Sequence, residues 1–446
     1  MIEALQRAWS IPELRKRISF VLGMLLIFAV GAHIPVPGID RHAIEKMLGA
    51  GGGGGLLNLV DAFSGGSFRR MSIFAMGIGP YINASIIMQM MTIAVPQLDA
   101  MSKEGESGRK RIAQITRRMT VVLAFVQSYG VTLAVTHNGG ANLSIFTRLE
   151  ICVALTAGAM FLLWLGEQVT QKGVGNGISL IIFAGILLSL RFQAEKIIAG
   201  LQAGTNSWVN LLTLIAAFVL TVFAIVYITQ GTRRIPIQHT KRVIGMRQTQ
   251  AGGSFLPIKV NTAGVIPIIF AISLLLLPAT IASILPGEEG FVGTVKNLFN
   301  NFRPGQNWHI GPIGKLGYFP FPGPTLMYAL LVIVFTYFYT AIVMNVQEMA
   351  DNLKKYGNYI PGIRPGKPTF EYLERVISRI TLAGAFFLAV IAVLQYIIPS
   401  LTHFDSFTLI GGTSLLIVVG VAIETMQAIE AQLLMRNYEG FIKDGQ

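Results

Sequence analysis

Ten apolar runs, separated by connectors that carry nearly all of the charge, limit what this chain can fold into. They lie at Arg17–Pro35, Met71–Ile93, Met119–Thr136, Glu150–Gln168, Ile178–Leu190, Val209–Gln230, Asn261–Leu285, Thr325–Asn345, Ile380–Pro399 and Thr408–Met426. Most approach the roughly 20 residues that an α-helix needs to cross the hydrocarbon core of a bilayer. Inside hydrocarbon the backbone must satisfy its own hydrogen bonds, which leaves helices or closed barrels. The runs are continuous rather than alternating, so helices are expected. The predicted fold class is an all-α polytopic membrane protein with ten transmembrane helices. A hydrophobic content of 52% and a charged content of 13% fit that class.

The basic residues fix an orientation. Together with Arg17 at the start of the first span, alternate connectors and both tails hold 25 of the 35 Lys and Arg residues. Positive charge stays cytoplasmic during insertion, so both termini are expected in the cytoplasm. The net charge of +13 therefore gathers on that face, where anionic lipid, RNA or an acidic protein could meet it. Arg15-Lys16-Arg17 followed by Ile18–Ala32 has the form of a signal peptide, yet nine further spans favour a retained first helix. The single cysteine, Cys152, lies inside a span as a small buried side chain. No disulfide within the chain and no paired-cysteine metal site is expected.

The spans divide five and five about the external connector 191–208. This gives an N-terminal half over 1–190 and a C-terminal half over 209–446, as in inverted halves related by a pseudo-two-fold axis in the membrane plane. The division rests on span count, without a residue-level repeat. The external connector 36–70 holds Leu56, Leu57, Leu59, Val60 and Phe63 at near-helical spacing. That stretch, about 56–68, is too short to span; it suits a re-entrant segment or an amphipathic helix on the outer surface. Gly51–Gly55 before it reads as a tether, and Ser64-Gly65-Gly66-Ser67 after it as a hinge.

Two cytoplasmic connectors are long, 231–260 and 346–379. The first holds Arg233, Arg234, Lys241, Arg242, Arg247 and Lys259 and no acidic residue. In the second, Pro361-Gly362-Ile363-Arg364-Pro365-Gly366-Lys367 sets Arg364 between two Pro-Gly turns. Such turns make a stiff exposed tip, which is either a plain solvated charge or a docking point.

The chain carries no constellation for bond chemistry. Gly314-Lys315 and Gly366-Lys367 are followed by Leu316 and Pro368, where a Walker loop needs a hydroxyl residue. Gly173-Val174-Gly175-Asn176-Gly177 lacks dinucleotide spacing and reads as a tight cytoplasmic turn. Gly105-Glu106-Ser107-Gly108 spells an intramembrane serine-protease pattern, but its charged loop offers no buried place for a nucleophile. The six histidines form no i,i+4 metal pair, and neither metal nor cofactor is expected. A mid-membrane charge would mark an ion-coupled transporter, and the span interiors hold almost none.

The interiors hold neutral amides instead: Asn83, Gln89, Gln127 and Asn261. Interhelical hydrogen bonds of this kind contribute about 0.6 to 2 kcal/mol, as packing glue or as an interface weak enough to open. Ile82/Ile86 and Ile182/Ile186 each occupy one helix face. They face lipid or, around a pore, form an apolar constriction.

On these residues the chain resembles the SecY family, the channel subunit of the bacterial Sec protein translocase. The resemblance runs from Ile11-Pro12-Glu13-Leu14-Arg15 to Asn437-Tyr438-Glu439. Its most specific pieces are Phe63–Gly66, Gly79–Ile82, Lys103–Arg109, Gly175–Ser179, Asn261–Pro267, Ala350–Lys355, Pro361–Gly366 and Gly411–Leu416. It implies a clamshell of two pseudo-symmetric five-helix halves around a central pore. Unfolded secretory preproteins would pass through it, and signal peptides and transmembrane segments would leave sideways into the lipid bilayer.

Family position implies a pore ring of Ile82, Ile86, Ile182, Ile186, Ile269 and Ile417. It implies a plug holding Leu56, Leu57, Leu59, Val60, Phe63, Gly65 and Gly66. A lateral gate would lie between spans two and three and spans seven and eight, with Asn83, Gln127 and Asn261 as its polar cluster. Arg364, Lys241, Arg242 and Arg247 would dock the ribosome or the motor ATPase SecA; RNA phosphates favour such patches through counterion release. SecE and SecG would be membrane partners, and the bacterial cytoplasmic membrane the location. The run Gly51–Gly55 departs from the family pattern and implies a looser plug tether.

Overall fold

The structure, a computed structural model, describes residues 2–38, 61, 64–139, 144–204, 207–239, 243–244, 247–248, 253–284, 308–310, 319–321, 323–402 and 412–443. The helices among them are α1 (Ile2–Ser10), α2 (Pro12–Gly31), α3 (Gly79–Ala94), α4 (Pro96–Lys103), α5 (Glu106–Gly139), α6 (Ile145–Lys172) and α7 (Gly177–Gln202). They continue with α8 (Trp208–Gln230), α9 (Ile266–Ile284), α10 (Gly323–Val343), α11 (Val346–Lys355), α12 (Lys367–Thr402) and α13 (Gly412–Lys443). Every expected span has its helix. Among the described residues, six segments are long and apolar enough to cross a membrane by length and composition: Ile145–Lys172, Gly177–Gln202, Trp208–Gln230, Gly323–Lys355, Lys367–Ile398 and Gly412–Met435.

Helix length departs from apolar length in both directions. α3 begins at Gly79, eight residues after the run at Met71. Residues 71–78 are held out of a helix by positive φ at Met71 (43°) and Gly77 (55°), backbone geometry that a right-handed helix excludes. At the other extreme α7 continues to Gln202, so most of the connector 191–208 is helix. Apolar runs mark where hydrocarbon lies, and helices continue past it wherever the polar end packs or meets water.

The first five spans pack among themselves through α2–α6, α2–α7, α3–α5, α5–α6 and α6–α7. The last five do so through α8–α12, α8–α13, α9–α10, α10–α12 and α12–α13. Between these sets, packing concentrates on two lines: α9 against α3 and α5, and α13 against α7, with α1 also resting on α13. This is the clamshell architecture, with one seam on each side.

Glycine makes the closest of these contacts possible. Phe74, in the non-helical segment before α3, stacks between Phe28 at 6.1 Å and Phe161 at 5.9 Å. A Cβ on Gly31 would strike the Phe74 ring, and one on Gly158 would strike the Ile73 carbonyl. Gly158→Val is therefore expected to destabilise the protein by about 1–3 kcal/mol or more through overpacking. Gly23 has open space around its Cβ direction, so Gly23→Ala should hold or raise stability by up to about 1 kcal/mol. Thermal unfolding of the detergent-solubilised variants checks both.

The long connectors 231–260 and 346–379 add β structure that the hydropathy pattern hides. β1 (Thr232–His239) and β4 (Gly253–Lys259) pair antiparallel, from Thr232↔Lys259 to Gln238↔Gly253. The short pair β2 (Val243–Ile244) and β3 (Arg247–Gln248) lies between them in sequence, and β5 (Trp308–Ile310) pairs with β6 (Phe319–Phe321) in the connector before α10. β7 (Asn358–Tyr359) joins the free edge of β1, which ties the two long connectors into one sheet.

Candidate functional site

The two packing seams meet at an apolar waist built from helices of both halves. Ile182, Ile186 and Ile417 are buried in one apolar cluster, with Ile82 and Ile269 packed against it. Ile86 lies in the adjoining cluster with Ile268, Phe270 and Leu416. Ile82 packs against both clusters and joins them. The i,i+4 spacing on α3 and α7 aims each pair at one side, so α3, α7, α9 and α13 all contribute isoleucine to this place. Val265, Ile78 and Val421 share the cluster without having been marked in the sequence; single aliphatic residues carry no spacing signal.

Next to the isoleucine clusters, the segment after the expected plug is a packed turn. The chain leaves α2 and returns at one point: Val36 N–H donates to the Met71 carbonyl at 2.8 Å, and Ile73 N–H to the Ile34 carbonyl at 3.0 Å. Between these contacts, Leu56, Leu57, Leu59, Val60, Phe63 and the glycine run Gly51–Gly55 lie outside the described residues. Gly65 and Gly66 do not form a free hinge. Both adopt positive φ, 73° and 76°. A Cβ on Gly65 would lie 3.2 Å from Gly185, and one on Gly66 would lie 2.9 Å from the Phe192 ring. These glycines are present for close approach to α7 as much as for backbone freedom.

The neutral amides belong to the elements of this seam and are not joined to one another. Asn83 is on α3 and Gln127 on α5, the two helices that receive α9. Asn261 precedes α9, 7% exposed, with its backbone against Gly384 of α12. Among the described residues no hydrogen bond links the three. The Oδ1 of Asn261 and Oε1 of Gln89 are buried without a partner. Apolar contacts close this seam: Ile86 on α3 clusters with Ile268, Ala271 and Ile272 on α9. Cys152 is fully buried, beside the hydroxyl of Thr132 at 3.7 Å.

The connectors 231–260 and 346–379 carry a second arrangement. Ile235, Ile237 and Ile258 turn inward from the β1–β4 hairpin while Arg233 and Arg234 are exposed. The hairpin base is clasped on two helices, with the Val260 carbonyl against Gly384 of α12 and Lys259 Nζ donating to Gln427 Oε1 of α13 at 3.1 Å. Tyr359 hydroxyl donates to Gln238 Oε1 at 3.0 Å across the β1–β7 edge. Immediately after β7 the two Pro-Gly turns form, with φ of 81° at Gly362 and 103° at Gly366. Thr369 hydroxyl caps the Arg364 carbonyl at 2.8 Å, and the Arg364 side chain is exposed. Lys241 and Arg242 lie outside the described residues. Arg247 is placed only as a β3 residue paired with Ile244.

Other sequence motifs resolve simply. Residues 173–176 form the turn between α6 and α7, with Asn176 capping Ile178 N–H at 3.1 Å. Ser107 is exposed at the start of α5. Among the described residues no group of three or more His, Cys, Asp or Glu side chains could hold a metal ion.

The sequence profile of the SecY family matches residues 72–426. The protein translocase subunit SecY of Thermotoga maritima is 42% identical, over 100% of this chain and 99% of its own length. In fold, the chain is similar to a SecY structure whose plug domain was described as stabilising the closed state of the translocation channel and maintaining a membrane seal. That likeness has a TM-score of 0.64 at 18% identity, covering 93% of this chain and 91% of the other. It is also similar to Sec61 in the canine ribosome-channel complex from the endoplasmic reticulum, with a TM-score of 0.59 at 17% identity over 93% and 91% of the two chains.

Proposed function

We propose, starting from the fact that the chain belongs to the SecY family, that it is a multi-pass protein-conducting channel. It passes unfolded secretory proteins across the membrane and releases apolar segments sideways into lipid. The observation that carries this reading is the meeting of isoleucines from α3, α7, α9 and α13 where the two seams converge. Aliphatic side chains there close around a moving chain without binding it, and they exclude water and ions at rest.

The pore ring is Ile82, Ile86, Ile182, Ile186, Ile269 and Ile417. The seam of α9 with α3 and α5 is the lateral gate, beside Asn83, Gln127 and Asn261. The plug comes from the stretch about 56–68, and the halves divide at 191–208. The channel sits in the bacterial cytoplasmic membrane with both termini cytoplasmic, beside SecE and SecG.

Magnitudes make gating intelligible. At mid-membrane, Leu, Ile, Phe or Val contributes about −0.3 to −0.6 kcal/mol, and Lys, Arg or Asp costs about +2.5 to +3.5. A signal core of ten leucines therefore gains roughly 3 to 6 kcal/mol on entering lipid. That is comparable to separating a few helix contacts along a seam. A polar segment gains nothing from lipid and goes straight through. The channel supplies no energy of its own, so a partner must drive transport.

The stiff tip at Arg364 and the sheet that holds it form the dock for that partner, either SecA or the ribosome, together with Lys241, Arg242 and Arg247. Arg364→Glu is expected to cut translocation about tenfold or more through a reversed interface charge, with insertion and folding unchanged. Co-sedimentation with SecA or ribosomes, measured beside precursor uptake, checks it. Wild-type binding and uptake in that variant would remove the docking role. The channel reading itself is tested by reconstituting the chain with its co-purifying membrane subunits and the motor in vesicles. ATP-dependent protection of a secretory precursor from protease is expected. Its absence when motor and precursor are both active would refute the reading.

A further inference from the structure

We propose that Glu424 is a cation-binding station at the mouth of the channel, an inference that rests on the channel reading above. Lysine and arginine side chains of an entering polypeptide pair there with a carboxylate before they reach the isoleucine waist. An α-helix advances about 1.5 Å per residue and turns once in about 3.6 residues. Glu424 stands seven positions beyond Ile417 on α13. It therefore shares the waist-facing side of that helix, roughly 10.5 Å further along the axis.

Packing fixes the direction of that step. Ile417 and Val421 are buried in the waist cluster, with Val265 and Ile269 against them. A Cβ on Gly420 would lie 3.4 Å from the Val265 side chain, and one on Gly264 would lie 3.9 Å from Glu424 Oε1. Three residues on, Gln427 Oε1 accepts Lys259 Nζ from the end of β4 at 3.1 Å. Glu424 thus sits between the waist and the docking sheet, beside the turn that opens α9. A chain handed over at the sheet meets it before the isoleucines.

The carboxylate is open to a ligand. Glu424 is exposed, although Val421 and Ile423 beside it are buried. Lys259 and Tyr339 are near enough to feel its charge, yet the Lys259 ammonium donates to Gln427. Among the described residues no ion pair engages Glu424. The sheet beyond it exposes Arg233 and Arg234. Glu424 is therefore a negative group between a basic rim and an apolar constriction.

Lysine and arginine are the side chains that a basic rim repels and an apolar place resists most. A carboxylate at the entrance of a pore raises the local concentration of the cations it attracts. An exposed pair of this kind is weak, so the cation is caught and released without halting the chain. Neutral and acidic segments gain nothing from it. Glu424 thus helps to set which charge patterns in a substrate pass fastest.

The test uses the full chain with its co-purifying membrane subunits and the motor in vesicles, without a membrane potential. One secretory precursor carries, in its mature part, a short run of lysine, of glutamine or of glutamate, and the rate of protease protection is measured for each. Glu424→Gln is expected to slow the lysine precursor about two- to fivefold relative to the glutamine precursor. Glu424→Lys should slow it further and speed the glutamate precursor. Glu424→Asp keeps the charge and should stay close to wild type. Glu430→Gln, six positions on and turned to another face of the helix, should change no ratio. The gap between wild type and Glu424→Gln should narrow as ionic strength rises from about 0.01 to 0.1 M, because the screening length falls from about 30 to 10 Å. Wild-type ratios in both Glu424→Gln and Glu424→Lys would overturn the station and leave the channel reading standing. Equal slowing of all three precursors, relieved by adding Lys259→Gln, would mean that Glu424 serves to balance Lys259, and would overturn the station as well. No protected product from any precursor, with the wild-type channel and an active motor, would overturn the channel reading itself.

Discussion

Replacing Ile86 or Ile417 with asparagine is expected to make the resting channel leak ions and to admit precursors with weakened signals. Ile417 is 2% exposed and Ile86 9%, so each substitution removes a largely buried aliphatic side chain. Such burial is worth about 1.5–3 kcal/mol. Shifting a closed-to-open balance by that amount changes the open population by roughly one to two powers of ten. The amide that replaces it also seeks water at a place the closed state keeps dry. Ile86→Leu and Ile417→Val retain an aliphatic surface and should keep the seal. Single-channel conductance in planar bilayers checks the leak, and export of a crippled precursor checks the stringency. Wild-type conductance and stringency in both asparagine variants would place the constriction elsewhere.

A covalent tie across the seam of α3 with α9 is expected to abolish transport almost completely and reversibly. On this line, Ile82 and Ile86 lie in apolar clusters with Val265, Ile268 and Ile269. If the halves must part here, then even a signal core that gains roughly 3–6 kcal/mol in lipid cannot open a disulfide. The native cysteine is first removed as Cys152→Ser, because its thiol is the chain's single one. Cysteine pairs are then scanned between residues 82–86 and 265–269. Pairs that oxidise should block precursor export and membrane-segment release together, and reductant should restore both. Normal transport by a fully oxidised pair would mean that opening occurs along another line, such as the seam of α7 with α13.

Much of this arrangement is legible in the sequence, and the gaps have physical causes. Ile82/Ile86 and Ile182/Ile186 stand out because a helix puts positions four apart on one face. Which face meets a pore and which meets lipid is not a property of spacing; packing decides it. The end of α7 is invisible to hydropathy because Gln193, Glu195 and Lys196 are polar, although helical hydrogen bonding and the Arg191–Glu195 pair at 3.1 Å carry it on. The β1–β4 hairpin was readable in principle from the alternation Ile235, Ile237 and Leu256, Ile258. Two prolines and a dense basic composition mask that period.

Ser64-Gly65-Gly66-Ser67 reads as a hinge in the sequence, but glycine marks backbone freedom and tight approach alike. Here Gly185 and Phe192 make it the second. Asp61 carries no sequence signal of its own: its carboxylate accepts the backbone N–H of Arg69, eight positions on, a spacing that no helix or strand period marks. The amides carry a different ambiguity. Asn83, Gln127 and Asn261 read alike as packing glue or as an interface weak enough to open, and the apolar contacts along this seam come from residues such as Ile86, Ile268 and Ile272.

The central claim is that a moving polypeptide threads the isoleucine waist. It is tested most directly by stalling a secretory precursor in mid-transit in membranes whose channel carries a photo-reactive residue at Ile86, Ile182 or Ile417, with Val219 on the exposed outer face of α8 as the control. The account predicts covalent adducts of the stalled chain with all three waist positions and none with Val219. Adducts absent from the waist while the precursor remains trapped in transit would contradict it.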